Sequence, residues 1–269
     1  MNEFMAPNIE KGKILIITDV HARIKEMNQF FNWLICEQGE NIQFGVHLGD
    51  FWGGRNYKGS TQVRMKFDYK KSDYLDNLEI PLFHLKGNED LEAPEEAWIS
   101  ENSWLMADQE PFYLGPYKVL PIYFQEKGTP EDKIPKNPHF TSKDDFDFIF
   151  SHRPPFGLLD NTLHAKTHEI LKNIGSPLVR EYYDRIKPSV LFFGHNHYTN
   201  FLETDYGIII SLDKLIRTSK RTNAFKYTYS LVDPFHQTIE VVWKNKLFLK
   251  YNILEKKIKF LNNHKRKIL

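Results

Sequence analysis

The sequence has a single cysteine, Cys36, among its 269 residues. That excludes an internal disulfide and leaves no thiolate cluster for zinc or iron–sulfur. No apolar run approaches the roughly 18 residues that a membrane-spanning helix needs. The opening residues, MNEFMAPNIEKGK, lack the basic, apolar and small-residue blocks of a secretory signal. There is no Ser/Gly-rich linker, no internal repeat and no excess of one charge, with 36 Lys and Arg against 35 Asp and Glu. The whole-chain balance therefore does not indicate a basic nucleic-acid binder. What is present is an ordinary globular composition, 41% hydrophobic and 26% charged, in a chain long enough to bury a large core. The expectation is a cytoplasmic protein folded as one domain over 1–269.

The charge balance hides a local asymmetry. Residues 244–269 hold nine basic side chains (Lys244, Lys246, Lys250, Lys256, Lys257, Lys259, Lys265, Arg266 and Lys267) and one acid, Glu255. The plainest reading is a charged C-terminal strand and helix docked on an acidic body. The alternatives are a surface for phosphate backbones or for a membrane or partner.

Five short runs rich in Ile, Val, Leu and Phe stand out: 13–18 (KILIIT), 42–48 (IQFGVHL), 80–86 (IPLFHLK), 146–151 (FDFIFS) and 189–193 (SVLFF). Each has the length and character of a strand buried on both faces. Between them, residues 22–37 place Ile24, Met27, Phe30, Phe31 and Leu34 at helical spacing. Less regular helical patterns cover 62–79 and 167–186, the latter with a second start signal at Ser176-Pro177. Alternating strands and helices predict an α/β fold. Residues 104–124 read as two or three short strands, 125–145 as a loop, and the chain after 198 as β-rich. The core is expected over about 13–215, with a β-rich C-terminal portion that carries the basic tail 244–269.

Every one of the five runs leads into polar donors: Asp19-Val20-His21, Gly49-Asp50, Gly87-Asn88, Ser151-His152 and Gly194-His195-Asn196-His197. In α/β sheets ligands bind at the carboxyl ends of strands. Seven N and O donors would therefore converge: Asp19, His21, Asp50, Asn88, His152, His195 and His197. They are too many for one tetrahedral ion and suit two ions about 3.5–4 Å apart. In Asp-x-His and His-x-His on extended backbone, residues i and i+2 point to the same side. A set of imidazole, carboxylate and amide without thiolate favours Mn, Fe, Zn or Ni, with Mn preferred.

These residues resemble the calcineurin-like metallophosphoesterases, whose ordered signature is Asp-x-His, Gly-Asp, Gly-Asn-His, a lone His and Gly-His-x-His. The resemblance runs from Lys13 to about Leu215. The run from Ser151 to Asp160, followed by Gly175-Ser176-Pro177, resembles a small phosphodiesterase-like branch of that family. The resemblance implies an αββα sandwich, two mixed β-sheets flanked by helices, with the dimetal site at the C-terminal ends of the strands. It implies that one ion takes Asp19, His21, Asp50 and His197, and the other takes Asp50, Asn88, His152 and His195, with Asp50 bridging. A hydroxide bridging the metals would attack phosphorus in line.

Two departures bear on the substrate. Gly-Asn-His reads Gly87-Asn88-Glu89, so the imidazole that in much of the family acts near the leaving group is a carboxylate here. Beside two cations a carboxyl stays ionised and cannot serve as a general acid. That leans toward diesters, whether small-molecule phosphodiesters or nucleotides, over monoesters. The common Gly-Asp-x-x-Asp reads Gly49-Asp50-Phe51-Trp52-Gly53 and lacks its second Asp. Candidate substrate contacts are Arg55, Arg153 and Tyr198, since arginine suits bidentate phosphate recognition. His47 and His84 lie inside strands and read as core or supporting groups. Phe51 and Trp52 read as packing, with base stacking as the alternative. Two other functions stay open: a metal-binding scaffold for an unknown protein partner, and a nuclease that docks nucleic acid on the basic tail. One expected outcome follows from the first departure. Glu89→His should raise the ratio of p-nitrophenyl phosphate to bis-p-nitrophenyl phosphate hydrolysis, and an unchanged ratio would remove this role for residue 89.

Overall fold

The computed structural model describes residues 12–53, 55–58, 61–64, 75, 77–124, 146–163, 170–171, 173–218 and 224–261, with backbone alone at 55–58, 61–64, 163 and 261. The first half runs β1 (Lys13–Ile17), α1 (Ile24–Asn32), β2 (Ile42–His47), β3 (Arg55–Lys58), β4 (Thr61–Arg64), β5 (Leu82–His84), β6 (Ser103–Leu105), β7 (Phe112–Leu114) and β8 (Tyr117–Ile122). Then come β9 (Phe148–Ser151), β10 (Thr162–Leu163), β11 (Ile170–Leu171), α2 (Pro177–Ile186), β12 (Val190–Phe193), β13 (Asn200–Glu203) and β14 (Ile208–Ser211). The C-terminal part is β15 (Ile216–Thr218), β16 (Phe225–Tyr227), β17 (Tyr229–Asp233), β18 (Thr238–Trp243), β19 (Lys246–Asn252) and β20 (Lys257–Leu261).

Two mixed sheets dominate. An eight-stranded sheet has the order β20-β19-β18-β17-β1-β2-β5-β6, and a six-stranded sheet has the order β13-β14-β12-β9-β8-β7. Strands β1, β2, β5 and β6 pair in parallel, as do β8, β9, β12 and β14. Each parallel set therefore ends at one sheet edge, where the chemistry-bearing loops begin.

Side-chain alternation builds the layers. Ile14, Ile16, Phe44 and Val46 of the large sheet share one core with Phe148, Phe150, Val190, Phe192, Ile208 and Ile210 of the smaller one. The opposite face of β1, Leu15 and Ile17, packs on Ile24, Met27, Phe30 and Phe31 of α1. Ile149, Leu191, Phe193 and Ile209 pack on Leu178, Val179, Tyr182 and Tyr183 of α2. Strands buried on both faces need apolar residues at every position, which is why the five runs lack polar alternation. The result is helix, sheet, sheet, helix: the expected αββα sandwich.

Details differ from the sequence reading. The helix expected over 22–37 ends as α-helix at Asn32 and continues as a π-helical turn, Trp33–Glu37. Of the pattern over 62–79, β4 occupies the first residues, and 65–74 and 76 lie outside the described residues. In the 167–186 segment, 167–169 and 172 lie outside the described residues, and the helix among the others begins at Pro177. Ser176 caps that helix by accepting the Val179 N–H on its hydroxyl at 3.3 Å, with Pro177 in the first turn. Residues 104–124 form β6 to β8 as expected, while the 125–145 loop lies outside the described residues. The C-terminal strands extend the large sheet through the antiparallel pairing of β17 with β1. Among the described residues no helix is long and apolar enough to cross a membrane.

His47 and His84 are fully buried beside the sheet edge. The His84 ring lies 4.7 Å from Phe51 and 5.2 Å from Trp98, and neither of its nitrogens has a hydrogen-bond partner among the described residues. Burial pushes His84 well below the ordinary imidazole range, with His47 adding to the shift, and pushes His47 down to about 3. Both are neutral in the fold. The unfolded chain takes up their protons below its ordinary pKa of about 6.5. Their contribution to stability is therefore complete above that value and is lost as pH falls toward the depressed folded values. His84→Leu should flatten the loss of denaturant stability between pH 6 and 4, by up to about 1.4 kcal/mol per pH unit. An identical slope in the variant would contradict a neutral buried His84.

Candidate metal centre

The loops after β1, β2, β5, β9 and β12 meet at one edge of the sandwich. Backbone bonds stitch them: Asp19 N–H donates to Gly49 O at 3.0 Å, and His21 N–H donates to Asp50 O at 2.9 Å. Two glycines permit the close approach. A Cβ at Gly87 would stand 2.2 Å from Asp50 Oδ1, and one at Gly194 would stand 2.0 Å from Thr18 Oγ1. Asp19, His21, Asp50, His195 and His197 all have positive φ, between 50° and 63°. Such conformations cost roughly 1–3 kcal/mol each for residues with side chains and persist where surrounding contacts impose them. Five in one site mark it as a place where geometry is held against local preference.

The donors form two groups. Ligand atoms of Asp19, His21 and His197 all lie within 4.8 Å of one another, as do those of Asp19, Asp50 and His152. Asn88 and His195 complete the second side: Asn88 Oδ1 is 3.1 Å from His152 Nε2 and 2.8 Å from His195 Nδ1. The seven residues nominated from the sequence are thus brought together.

The lone pairs show what the arrangement suits. His152 Nδ1–H donates to Leu48 O at 2.8 Å. In the neutral ring that leaves Nε2 as an acceptor. Yet Nε2 faces two further acceptors, Asn88 Oδ1 and Asp50 Oδ1, the latter at 3.4 Å. On the other side, His21 Nδ1–H donates to Gly53 O at 2.9 Å, and His21 Nε2 points at His197 Nε2, 3.1 Å away. Acceptors that face one another need a proton or a metal ion between them, and ring N–H groups donated to backbone carbonyls are the usual support of metal-ligating histidines. The donor set therefore fits two divalent ions.

Protons meet part of that need within the chain itself. Burial alone would lower His152, but the Asp50 carboxylate outweighs it and raises the imidazole to about 9. Burial would raise Asp19, yet His197, His152 and His21 hold its carboxyl well below the usual range. Asp50 is lowered in the same way by His152. His195 is pushed down to about 3 by burial and by the charge on His152.

Supporting residues surround the donors. Asp19 Oδ2 accepts from Thr18 Oγ1 at 2.6 Å and from His195 N–H at 3.1 Å. Asp90, fully buried, accepts the N–H groups of Phe51 (3.1 Å), Trp52 (2.9 Å) and Gly87 (2.9 Å). It ties the Asp50 loop to the Asn88 loop. Sequence reading noticed a missing Asp after Phe51-Trp52 but not Asp90, whose only signal was its place two residues after Asn88. Arg217, held by Asp213, donates to His197 O at 2.7 Å and was also missed.

The remaining nominees fall elsewhere. Glu89 is buried, 5% exposed, rather than a solvated turn residue. Its Oε1 accepts from Asn88 Nδ2 at 2.9 Å, and its N–H donates to Asp50 Oδ1 at 2.8 Å. Arg153 is buried with its guanidinium donating to Ile174 O and Gly175 O. Tyr198 donates its hydroxyl to Leu159 O at 3.1 Å. The Arg55 side chain lies outside the described residues. Phe51 and Trp52 are buried against His84 and Trp98 and present no stacking face. The aromatic ring beside the site is instead Phe124, 5.7 Å from His195 and 6.0 Å from His152.

Residues 12–199 match the calcineurin-like phosphoesterase family, and the chain belongs to it. TT1561 of Thermus thermophilus superposes with a TM-score of 0.50 at 9% identity, over 93% of this chain and 97% of that one. GAP50, described as the anchor in the inner membrane complex of Plasmodium, gives a TM-score of 0.52 at 11% identity, over 94% of this chain and 90% of that one. At such identities the likeness is one of fold. No curated protein matches the chain by sequence.

Asp90→Leu should strip three buried N–H groups of their acceptor, at about 1–3 kcal/mol for each group left unsatisfied. Thermal denaturation should show the loss, and metal analysis should show reduced loading. A variant that keeps wild-type stability and metal content would refute this tie between the loops.

Proposed function

We propose that the chain is a dinuclear-metal phosphodiesterase, with 1–269 as a single catalytic domain and manganese as the working ion. The observation that carries this is the meeting of carboxylate, imidazole and amide acceptor atoms from five strand ends, which two divalent cations would reconcile. One group is Asp19, His21, His197 and Asp50, and the other is Asp50, Asn88, His152 and His195. Asp50 is assigned the bridging place. Asp19 spends Oδ2 on Thr18 and the His195 N–H, leaving Oδ1 for one ion. Two divalent ions supply a nucleophile from water at neutral pH and neutralise charge that develops on the phosphoryl oxygens.

The chain's own groups do the positioning. Leu48 O and Gly53 O orient the His152 and His21 rings. Asp90 holds Asp50 and Asn88 in register. Glu89 stands where much of the family has the imidazole that acts near the leaving group, and its Oε1 is taken up by the Asn88 amide. That supports diesters over monoesters as substrates.

The test uses protein stripped of metal and reloaded with Mn²⁺, Fe²⁺, Zn²⁺ or Ni²⁺, given bis-p-nitrophenyl phosphate and p-nitrophenyl phosphate. Metal-dependent cleavage of the diester, abolished in Asp50→Asn together with metal loading, is the expected result. Near-full turnover by Asp50→Asn would sink the bridging assignment. Metal uptake without turnover on either substrate would overturn the phosphodiesterase reading in favour of a scaffold.

A further inference from the structure

The segment after β14, residues 212–218, runs into β15 and closes one flank of the candidate metal centre. Leu215 N–H donates to Thr18 O at 3.0 Å, next to Asp19, and Arg217 grips His197 O at 2.7 Å. Asp213 N–H donates to Thr199 Oγ1 at 3.1 Å, two residues beyond His197. Between Asp213 and Leu215, both buried, sits half-buried Lys214. Three cations gather here, and two are committed. Arg217 pairs with both oxygens of Asp213, at 2.5 and 2.6 Å. Arg23 pairs with Glu26 at 3.1 Å and lies over the Phe225 ring. The Lys214 ammonium makes no ion pair or side-chain hydrogen bond among the described residues. Asp213 and Asp19 attract it while Arg217 and Arg23 repel it, and burial together with Arg217 lowers it from the ordinary lysine value. His197, the candidate ligand it flanks, has 40% of its side chain exposed, against 20% for His21 and none for His152.

A half-buried ammonium without a counter-ion is costly unless a ligand supplies one. The opposite flank has a different character. There Phe124 stands against His195 and His152, with Arg153 behind it. The site therefore has one cationic side and one aromatic side.

We propose that Lys214 determines specificity by holding a second anionic group of the substrate, a phosphate or carboxylate carried beyond the phosphodiester that is cleaved. The substrate class is an anionic phosphodiester, bound with its extra charge on the His197 side. This deepens the phosphodiesterase reading and rests on it.

The test is a charge series of p-nitrophenyl phosphodiesters that share a leaving group and differ in the second ester: 2-carboxyethyl, ethyl and choline. Full-length, Mn²⁺-loaded wild type, Lys214→Met and Lys214→Arg are compared, with metal content measured for each. Wild type should favour the carboxyethyl over the ethyl diester by about tenfold in kcat/KM, as for one charge-assisted contact. Added salt should shrink that ratio. Lys214→Met should bring it toward one, and Lys214→Arg should keep it. A purely structural Lys214 would change all three substrates together, so a ratio unaltered in Lys214→Met overturns the proposal, as does a wild type with no preference. If no diester is cleaved, the phosphodiesterase reading fails separately. Calorimetric binding of the same three compounds then decides on Lys214: a wild-type preference for the carboxyethyl diester that disappears in Lys214→Met sustains its role, and equal affinities refute it.

Discussion

Two carboxylates, Asp19 and Asp50, are almost wholly withdrawn from water at the meeting point of five strands. Burying such charge is tolerable only against compensating positive charge. The surrounding architecture answers that requirement. Four histidines from three loops surround the pair, and backbone carbonyls fix the rings of two of them. Buried Asp90 fastens the loops that carry Asp50 and Asn88. A proton on His152 balances Asp50, and the same lone pairs are candidate ligands for the two ions proposed above. The cluster of positive φ values follows from the same cause, because short loops must turn sharply to bring carboxylate and imidazole atoms within one ion's reach.

The sandwich serves this arrangement by aligning strand ends. Parallel pairing delivers the carboxyl ends of β1, β2 and β5 from one sheet and of β9 and β12 from the other to a common edge. The shared core of Ile, Val and Phe sets the spacing between the sheets. A helix seals each outer face, so that neither sheet edge can shift without loss of apolar contact. The antiparallel extension through β17 to β20 lies on the far side of β1 from β2 and contributes no ligand.

Legibility followed the kind of signal. The five buried strands stood out because burial on both faces removes polar alternation. The candidate ligands stood out because each sits at or just after the end of such a strand. Ser176 and Pro177 marked the start of α2 through cap chemistry that is local by nature. By contrast, β10, β11 and β15 hold only two or three residues each, too few to carry a pattern, although each pairs with a strand nearby in sequence. Arg153 and Tyr198 were nominated by side-chain type, but the structure commits the guanidinium and the hydroxyl to backbone carbonyls. Phe124, Asp90 and Lys214 carried no local pattern, since what matters about each is a neighbour tens of residues or more away.

The sequence by itself determined the α/β class, the order of the core strands and the identity and order of the seven donors, because these depend on burial and on chain adjacency. Only the tertiary structure decided that Asp90 holds the Asp50 loop, that Glu89 is buried against Asn88, and that Lys214, with no ion pair among the described residues, flanks His197 while Phe124 faces His195. Those relations arise where loops from two different sheets pack together. Contacts of that range are set by the three-dimensional course of the chain, not by the spacing of residues along it.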